Sequence, residues 1–192
     1  MKAVSEILDK YYQELCEAYD RNEWYFTQNE DRAHNAIIMR VMMEKASNIR
    51  MYCGEMSVFR KGFYRHVDEK YPGKGSELMN KVSEALLSFL DRDNANLAIV
   101  LERFDEDILN DLIVPRKKFQ MSLGVKLFVL PEEIGNKNAI PHLAFTNDER
   151  IVRLELNKQT HQAVCKIGEG EDMKMVSPIF ERLMKLAKPI AG

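Results

Sequence analysis

The sequence predicts an α/β fold in which a mixed, mainly parallel sheet with an antiparallel hairpin is covered by helices on both faces. Residues 97–101 are apolar throughout and bounded by polar residues, which is typical of a strand buried on both faces. Amphipathic helical segments precede the strands predicted at residues 49–53 and 97–101, as expected of α/β units. Residues 142–156 read as two short strands joined by a polar turn, which predicts the hairpin.

The N-terminal segment carries apolar residues at intervals of three and four, which predicts a helix over residues 2–20. We expect residues 1–30 to form a helical extension of a single domain that spans residues 1–192. The apolar stripe on residues 4–19 is interpreted as a surface packed on its own domain, with a contact between two copies as the alternative. A polar connection is predicted at residues 27–31.

Further helices are predicted at residues 31–46, 76–90, 106–113 and 177–187 by the same periodicity. Strands are predicted at residues 125–130 and 162–167 in addition to those above. The basic and aromatic residues 59–75 are interpreted as a surface excursion that is partly helical.

Composition excludes several classes of protein. The chain has 192 residues, of which 45% are hydrophobic and 30% charged, and its net charge is -2, so no global positive field would draw it onto nucleic acid or a membrane. No apolar run approaches the roughly 18 residues of a membrane span, and a cytoplasmic protein is expected. Cys16, Cys53 and Cys165 lack metal-ligand spacing and are interpreted as reduced thiols. No metal or cofactor is expected.

The predicted hairpin separates two kinds of side chain. Arg153 and Glu155 point to one face of its second strand, which we expect to carry chemistry or recognition. A salt bridge between these two residues is the simpler interpretation. The other face is expected to be core and carries Val152, Leu154 and Leu156.

The element order, with His142 opening a hairpin after the third strand, resembles one lobe of the phospholipase D superfamily over roughly residues 36–187. That family carries His-x-Lys followed four residues later by Asp. In this register His142 holds the histidine, Ala144 the lysine and Glu149 the aspartate, with Asp148 one residue away. Arg153 and Glu155 stand where active members carry Gly-Ser and a nearby Asn.

The resemblance implies a function and a departure from it. In active members the histidine attacks phosphorus, while the lysine neutralises the phosphoryl oxygens. Alanine supplies none of that stabilisation, so we predict a non-catalytic phospholipase D-like binding or regulatory module. The alternative is a phosphodiesterase or nuclease that uses His142 and Glu149, with Arg153 in place of the lysine.

His142 needs a partner that fixes its tautomer if it is catalytic, and Glu149, Asp148 or Glu155 are candidates. The alternative is a histidine that merely begins a strand after a proline.

The loop after the first predicted strand contains two candidate ligand-binding residues, Glu55 and Ser57. It lies at the carboxyl end of that strand, where open α/β sheets commonly bind ligands. The alternative is that both residues only end the strand and cap the following turn.

Two clusters of basic and aromatic residues, at positions 60–65 and 116–119, are candidates for weak contact with nucleic acid or another phosphate-containing ligand. Solvated loops are the alternative.

A homodimer is expected. The resembling family builds its cleft from two lobes, and this chain carries one hairpin motif. An exposed face bearing His142, Arg153 and Glu155 would be self-complementary in charge, and two-fold contacts are the commonest closed assembly.

Overall fold

The computed structural model describes residues 4–135, 140–148, 150–168 and 174–190. The helices are α1 (Val4–Arg21), α2 (Arg32–Lys45), α3 (Lys61–Lys70), α4 (Lys74–Leu90), α5 (Glu106–Asn110), α6 (Arg116–Met121), α7 (Glu132–Gly135) and α8 (Val176–Leu186). The strands are β1 (Tyr25–Asn29), β2 (Asn48–Cys53), β3 (Asn96–Leu101), β4 (Val125–Val129), β5 (Leu143–Thr146), β6 (Ile151–Asn157), β7 (Gln162–Ile167) and β8 (Lys188–Pro189). Among these described residues, no helix is long and apolar enough to cross a membrane.

The strands form one mixed sheet in the order β1-β7-β6-β5-β2-β3-β4-β8. Strands β2, β3 and β4 pair in parallel, and the other pairings are antiparallel. The mixed α/β class is therefore confirmed, although parallel pairing is confined to three strands where a mainly parallel sheet is predicted. The reason is that β5, β6 and β7 follow one another through connections too short for a crossover, so they pair antiparallel.

The predicted hairpin is confirmed as β5 and β6, with Ala144 directly opposite Arg153. Strand β3 lies inside the sheet, with β2 and β4 on either side of it. The predicted strand at residues 162–167 is β7.

Helices cover both faces of the sheet. The larger core lies on the face packed by α1 to α4 and includes Val41, Leu86 and Phe89. The smaller core lies under α8 and includes Phe145 and Phe180, whose rings meet edge to face at a centroid separation of 5.7 Å. Burial of each such side chain contributes about 1.5–3 kcal/mol to stability.

The polar connection predicted at residues 27–31 is wrong, because strand β1 occupies most of it. This strand pairs with β7, with Tyr25 opposite Ile167 and Asn29 opposite Ala163. It has no apolar alternation of its own that would predict a strand. Its backbone hydrogen bonds come from a partner far along the chain, which local sequence does not reveal.

The apolar stripe of α1 packs on the same chain, as predicted. Leu8, Tyr11, Leu15 and Ala18 are buried in the larger core. The stripe is therefore not free to contact a second copy.

Residues 59–75 are partly helical, as predicted, since Lys61–Lys70 form helix α3. They are not a surface excursion, because one side of this helix is buried. Phe63, Tyr64 and Val67 are buried, and the Tyr64 hydroxyl donates to the carbonyl oxygen of Val58 at 2.8 Å. The basic residues occupy the opposite, solvent-facing side of the helix. The second basic cluster is likewise helical, with Phe119 of α6 buried.

Candidate functional site

A cleft of about 630 Å³ lies at the carboxyl ends of the parallel strands β2 and β3. Its wall is completed by the start of β5, by β6 and by the turn between β6 and β7. Five of the residues singled out in the sequence line it, namely Glu55, Ser57, His142, Arg153 and Glu155. Parallel pairing brings the carboxyl ends of β2 and β3 side by side. Antiparallel pairing of β5 with β2 and of β6 with β5 adds His142, Arg153 and Glu155 at the same edge.

His142 lies between two carboxylates. Its Nδ1 is 2.5 Å from Glu155 Oε2, and its Nε2 is 3.2 Å from Glu102 Oε1. The contact between Nε2 and Glu102 is within ion-pair distance but lacks hydrogen-bond geometry. The buried Nε2 therefore has no hydrogen-bond partner among the described residues. The side chain is only 16% exposed. Both ring nitrogens therefore face negative charge inside the protein.

This arrangement favours the imidazolium form of His142. Burial alone would lower the pKa of His142, but Glu102 and Glu155 outweigh it and raise that pKa. Burial would also raise the pKa of Glu102, yet the neighbouring His142 and the hydrogen bonds from Lys158 and Tyr52 hold the pKa of Glu102 at about 2. The pKa of Glu155 is likewise well below its usual range, despite burial, because of His142, His161 and Arg153. The site is a charged cluster at neutral pH.

The stability of the protein is expected to depend on pH through His142. The folded pKa of His142 is raised above its ordinary value of 6.5, so its ion pairs stabilise fully below that pH and are lost as the pH rises through the folded pKa. The glutamates act oppositely, stabilising above about pH 4.3 and losing that effect as the pH falls through their folded pKa values. Urea unfolding should show the stability difference between wild type and His142→Gln shrinking as the pH rises above about 6.5. A constant difference would contradict a charged His142.

Glu155 is the centre of the cluster. Its carboxylate is 3.4 Å from Arg153 Nη2 and 3.3 Å from His161 Nδ1, in addition to His142. The Nε of Arg153 donates to Asn35 Oδ1 at 2.9 Å. The salt bridge interpretation of Arg153 and Glu155 therefore describes the observed contact, and both side chains are buried.

The loop after β2 holds the other two candidates. Glu55 accepts from Arg60 Nη1 at 2.7 Å and pairs with Arg103 Nη2 at 2.5 Å. Ser57 begins a 3-10 turn that follows Met56, whose backbone is left-handed with φ of 45°. Glu55 is thus a neutralised carboxylate at the rim of the cleft.

Of the proposed partners of His142, the structure supplies Glu155. Asp148 lies at the far end of the hairpin, where it accepts from Tyr19 at 2.8 Å. Glu149 lies outside the described residues.

The sequence prediction missed other residues that line the cleft, among them Asn35, Glu102, Lys158 and His161. Glu102 directly follows β3, so the carboxyl-end rule that identified Glu55 could also have found it. Lys158, which pairs with Glu102, and His161 come from the β6–β7 turn and have no local signal. Among the described residues, no group of three or more His, Cys, Asp or Glu side chains is arranged to hold a metal ion.

No protein-family model and no curated protein matches this sequence. Solved structures do match, and they show that the chain has a phospholipase D-like fold. Nuc from Salmonella typhimurium, a phospholipase D family member, has a TM-score of 0.53 and 11% identity, covering 88% of this chain and 99% of its own. NucT from Helicobacter pylori has a TM-score of 0.53 and 10% identity, covering 88% and 100%.

TrmBL2, an archaeal chromatin protein whose structure shows a novel mode of DNA binding, is a third structural neighbour. It has a TM-score of 0.52 and 14% identity over 96% of this chain. The chain spans 64% of the length of TrmBL2. The TM-scores show that these chains share a fold, and at identities this low they show the fold alone.

Proposed function

We propose that this protein is a phospholipase D-like binding or regulatory module that does not cleave phosphodiester bonds. The observation that carries the proposal is the position of His142 between Glu102 and Glu155. A histidine attacks phosphorus through a ring nitrogen lone pair, and an imidazolium protonated at both nitrogens has none. The two carboxylates favour that protonated form.

The missing lysine supports the same proposal. Ala144 occupies the position that the resemblance assigns to the lysine and is 2% exposed. Arg153 lies directly opposite it, but its guanidinium is engaged by Asn35 and Glu155. A cation neutralised in this way offers little stabilisation to charge that develops on phosphoryl oxygens.

We propose that the ligand contains phosphate. A weakly bound nucleic acid is one such ligand. The cleft mixes cations with carboxylates over an apolar base that includes Met39 and Met51. The presence of a DNA-binding chromatin protein among the structural neighbours supports this choice of ligand. We also propose a single domain in a reducing, cytoplasmic environment, which agrees with three unpaired cysteines and one continuous sheet.

Purified protein is expected to show no turnover of DNA, RNA or bis(p-nitrophenyl) phosphate above the level of its His142→Ala variant. The reason is that a protonated His142 has no free lone pair, and that the cleft cations Arg103, Arg153 and Lys158 are each paired with a carboxylate. Product formation would be followed by gel and by absorbance across about pH 5 to 9, so that deprotonation of His142 is included. Activity that His142→Ala abolishes would refute the proposal.

The alternative is a phosphodiesterase with His142 as nucleophile in a homodimeric site. It is favoured by the 2.5 Å contact between His142 and Glu155, the kind of contact that orients a catalytic imidazole. Arg153 and Glu155 are too deeply buried to form the exposed contact face expected for a dimer. Light scattering on the assayed sample distinguishes a composite site from a monomer of 22.3 kDa.

A further inference from the structure

A second groove, of about 510 Å³, adjoins the cleft and is lined by three guanidinium groups, those of Arg32, Arg60 and Arg65. It runs between the start of α2, the first half of α3 and the β6–β7 turn. Ser57, Phe63 and His161 line both the groove and the cleft, so the two spaces are neighbours.

The carboxylates that line this groove, Asp111 and Glu69, already have partners among its other lining residues. Asp111 Oδ2 accepts from the backbone N–H of Gly62 at 3.2 Å and from Arg60 Nε at 3.4 Å. Glu69 Oε1 is 3.1 Å from His66 Nδ1. Arg60 is therefore neutralised within the protein, since Glu55 also pairs with it.

Arg32 and Arg65 differ from Arg60, because within the described part of the chain neither has a carboxylate at ion-pair distance. Arg32 is nevertheless fixed in place. Its Nη2 is 3.2 Å from His161 Nε2, and its guanidinium carbon lies 5.9 Å from the centre of the Phe63 ring. A fixed guanidinium without a counter-charge is suited to a bidentate contact with an oxyanion.

His161 holds this arrangement together. Since arginine only donates, Nε2 of His161 accepts from Arg32, and Nδ1 then donates to Glu155 Oε1 at 3.3 Å. The backbone of His161 is left-handed, with φ of 60°, and its carbonyl accepts from Asn35 Nδ2 at 3.1 Å. That conformation is strained for a non-glycine residue, and the contacts with Arg32, Glu155 and Asn35 offset the strain.

We propose that this groove is a phosphate-binding site, with Arg32 and Arg65 as its ligand-contacting cations and His161 as the residue that positions Arg32. The recognised group is a phosphate oxyanion rather than a base, because Phe63 and Tyr64 are buried and present no stacking surface. The proposal does not depend on the cleft being inactive, because it uses neither Glu102 nor His142.

Titration calorimetry with inorganic pyrophosphate and fluorescence anisotropy with a short single-stranded DNA test the site on the full chain. Arg65→Gln is expected to weaken binding about tenfold, because a charge-assisted contact is lost. Arg32→Gln should weaken it at least as much. Arg182→Gln is the matched control, since it removes one exposed cation from α8, away from the groove; its affinity should remain within about twofold of wild type.

Binding of pyrophosphate that depends on Arg65 supports a free or small phosphorylated ligand. If only the DNA binds, and its binding also depends on Arg65, the site is supported and its phosphates come from a polynucleotide. Absence of binding by both probes overturns the proposal, and so does an equal loss in Arg65→Gln and Arg182→Gln. Arg65 forms no ion pair with the described residues, so Arg65→Gln is expected to keep the thermal stability of wild type. Unchanged thermal unfolding would exclude misfolding as the cause of a loss of binding.

Discussion

Replacing Glu155 with alanine is expected to lower the free energy of unfolding by about 3–5 kcal/mol, because it leaves buried positive charges without their counter-charge. The Glu155 side chain is 4% exposed and contacts His142, Arg153 and His161. Urea unfolding at neutral pH measures the effect.

Two further variants separate charge from shape. Glu155→Gln keeps the volume and one acceptor oxygen, so we expect a loss between zero and that of the alanine variant. Glu84→Ala removes an exposed glutamate from α4 and is expected to change stability by no more than about 0.5 kcal/mol. A loss in Glu155→Ala as small as that of Glu84→Ala would mean that the cluster is not stabilised by its charges.

Restoring the lysine of the phospholipase D motif by Ala144→Lys is expected to destabilise the protein by about 3 kcal/mol or more without producing activity. Ala144 is buried, and Arg153 lies directly across from it on the same face of the sheet. The added ammonium would lie close to the Arg153 guanidinium, so two positive charges would be buried near each other. Urea unfolding and the phosphodiester assay, run on the same preparation, measure both consequences.

Ala144→Met is the control for volume, because it adds a side chain of similar length without charge. The difference between the lysine and methionine variants reports the electrostatic part of the loss. If Ala144→Lys were as stable as wild type and cleaved bis(p-nitrophenyl) phosphate, the absence of one lysine would be the only obstacle to catalysis. The explanation based on His142 would then be wrong.

The charged cluster also belongs to the framework of the fold. The Tyr11 hydroxyl on α1 donates to Asn29 Oδ1 at 2.5 Å, and Asn29 Nδ2 donates to Asn35 Oδ1 at 3.2 Å. Asn35 in turn accepts from Arg153, which contacts Glu155. A continuous buried path of polar contacts therefore joins the N-terminal helix to the cleft. A buried polar network destabilises the protein most when some of its groups lack hydrogen-bond partners. We therefore expect single substitutions within it to reduce stability strongly.

Local sequence determined the elements whose burial pattern repeats along the chain. Residues 97–101 are apolar throughout and form the core of β3, and alternation places Arg153 and Glu155 on one face of β6. The position of Glu55 after the carboxyl end of a strand likewise predicted that it lies at the cleft. Each of these inferences uses only neighbouring residues, and each agrees with the structure.

Tertiary structure alone decided what those residues do. Strand β1 exists because β7 supplies its hydrogen bonds, and buried Arg153 has a polar partner because α2 places Asn35 beside it. The second carboxylate on His142 comes from the end of β3, forty residues earlier in the chain. Pairing and burial of this kind depend on which distant segments meet, and the energy of a charge depends on that environment far more than on its sequence neighbours.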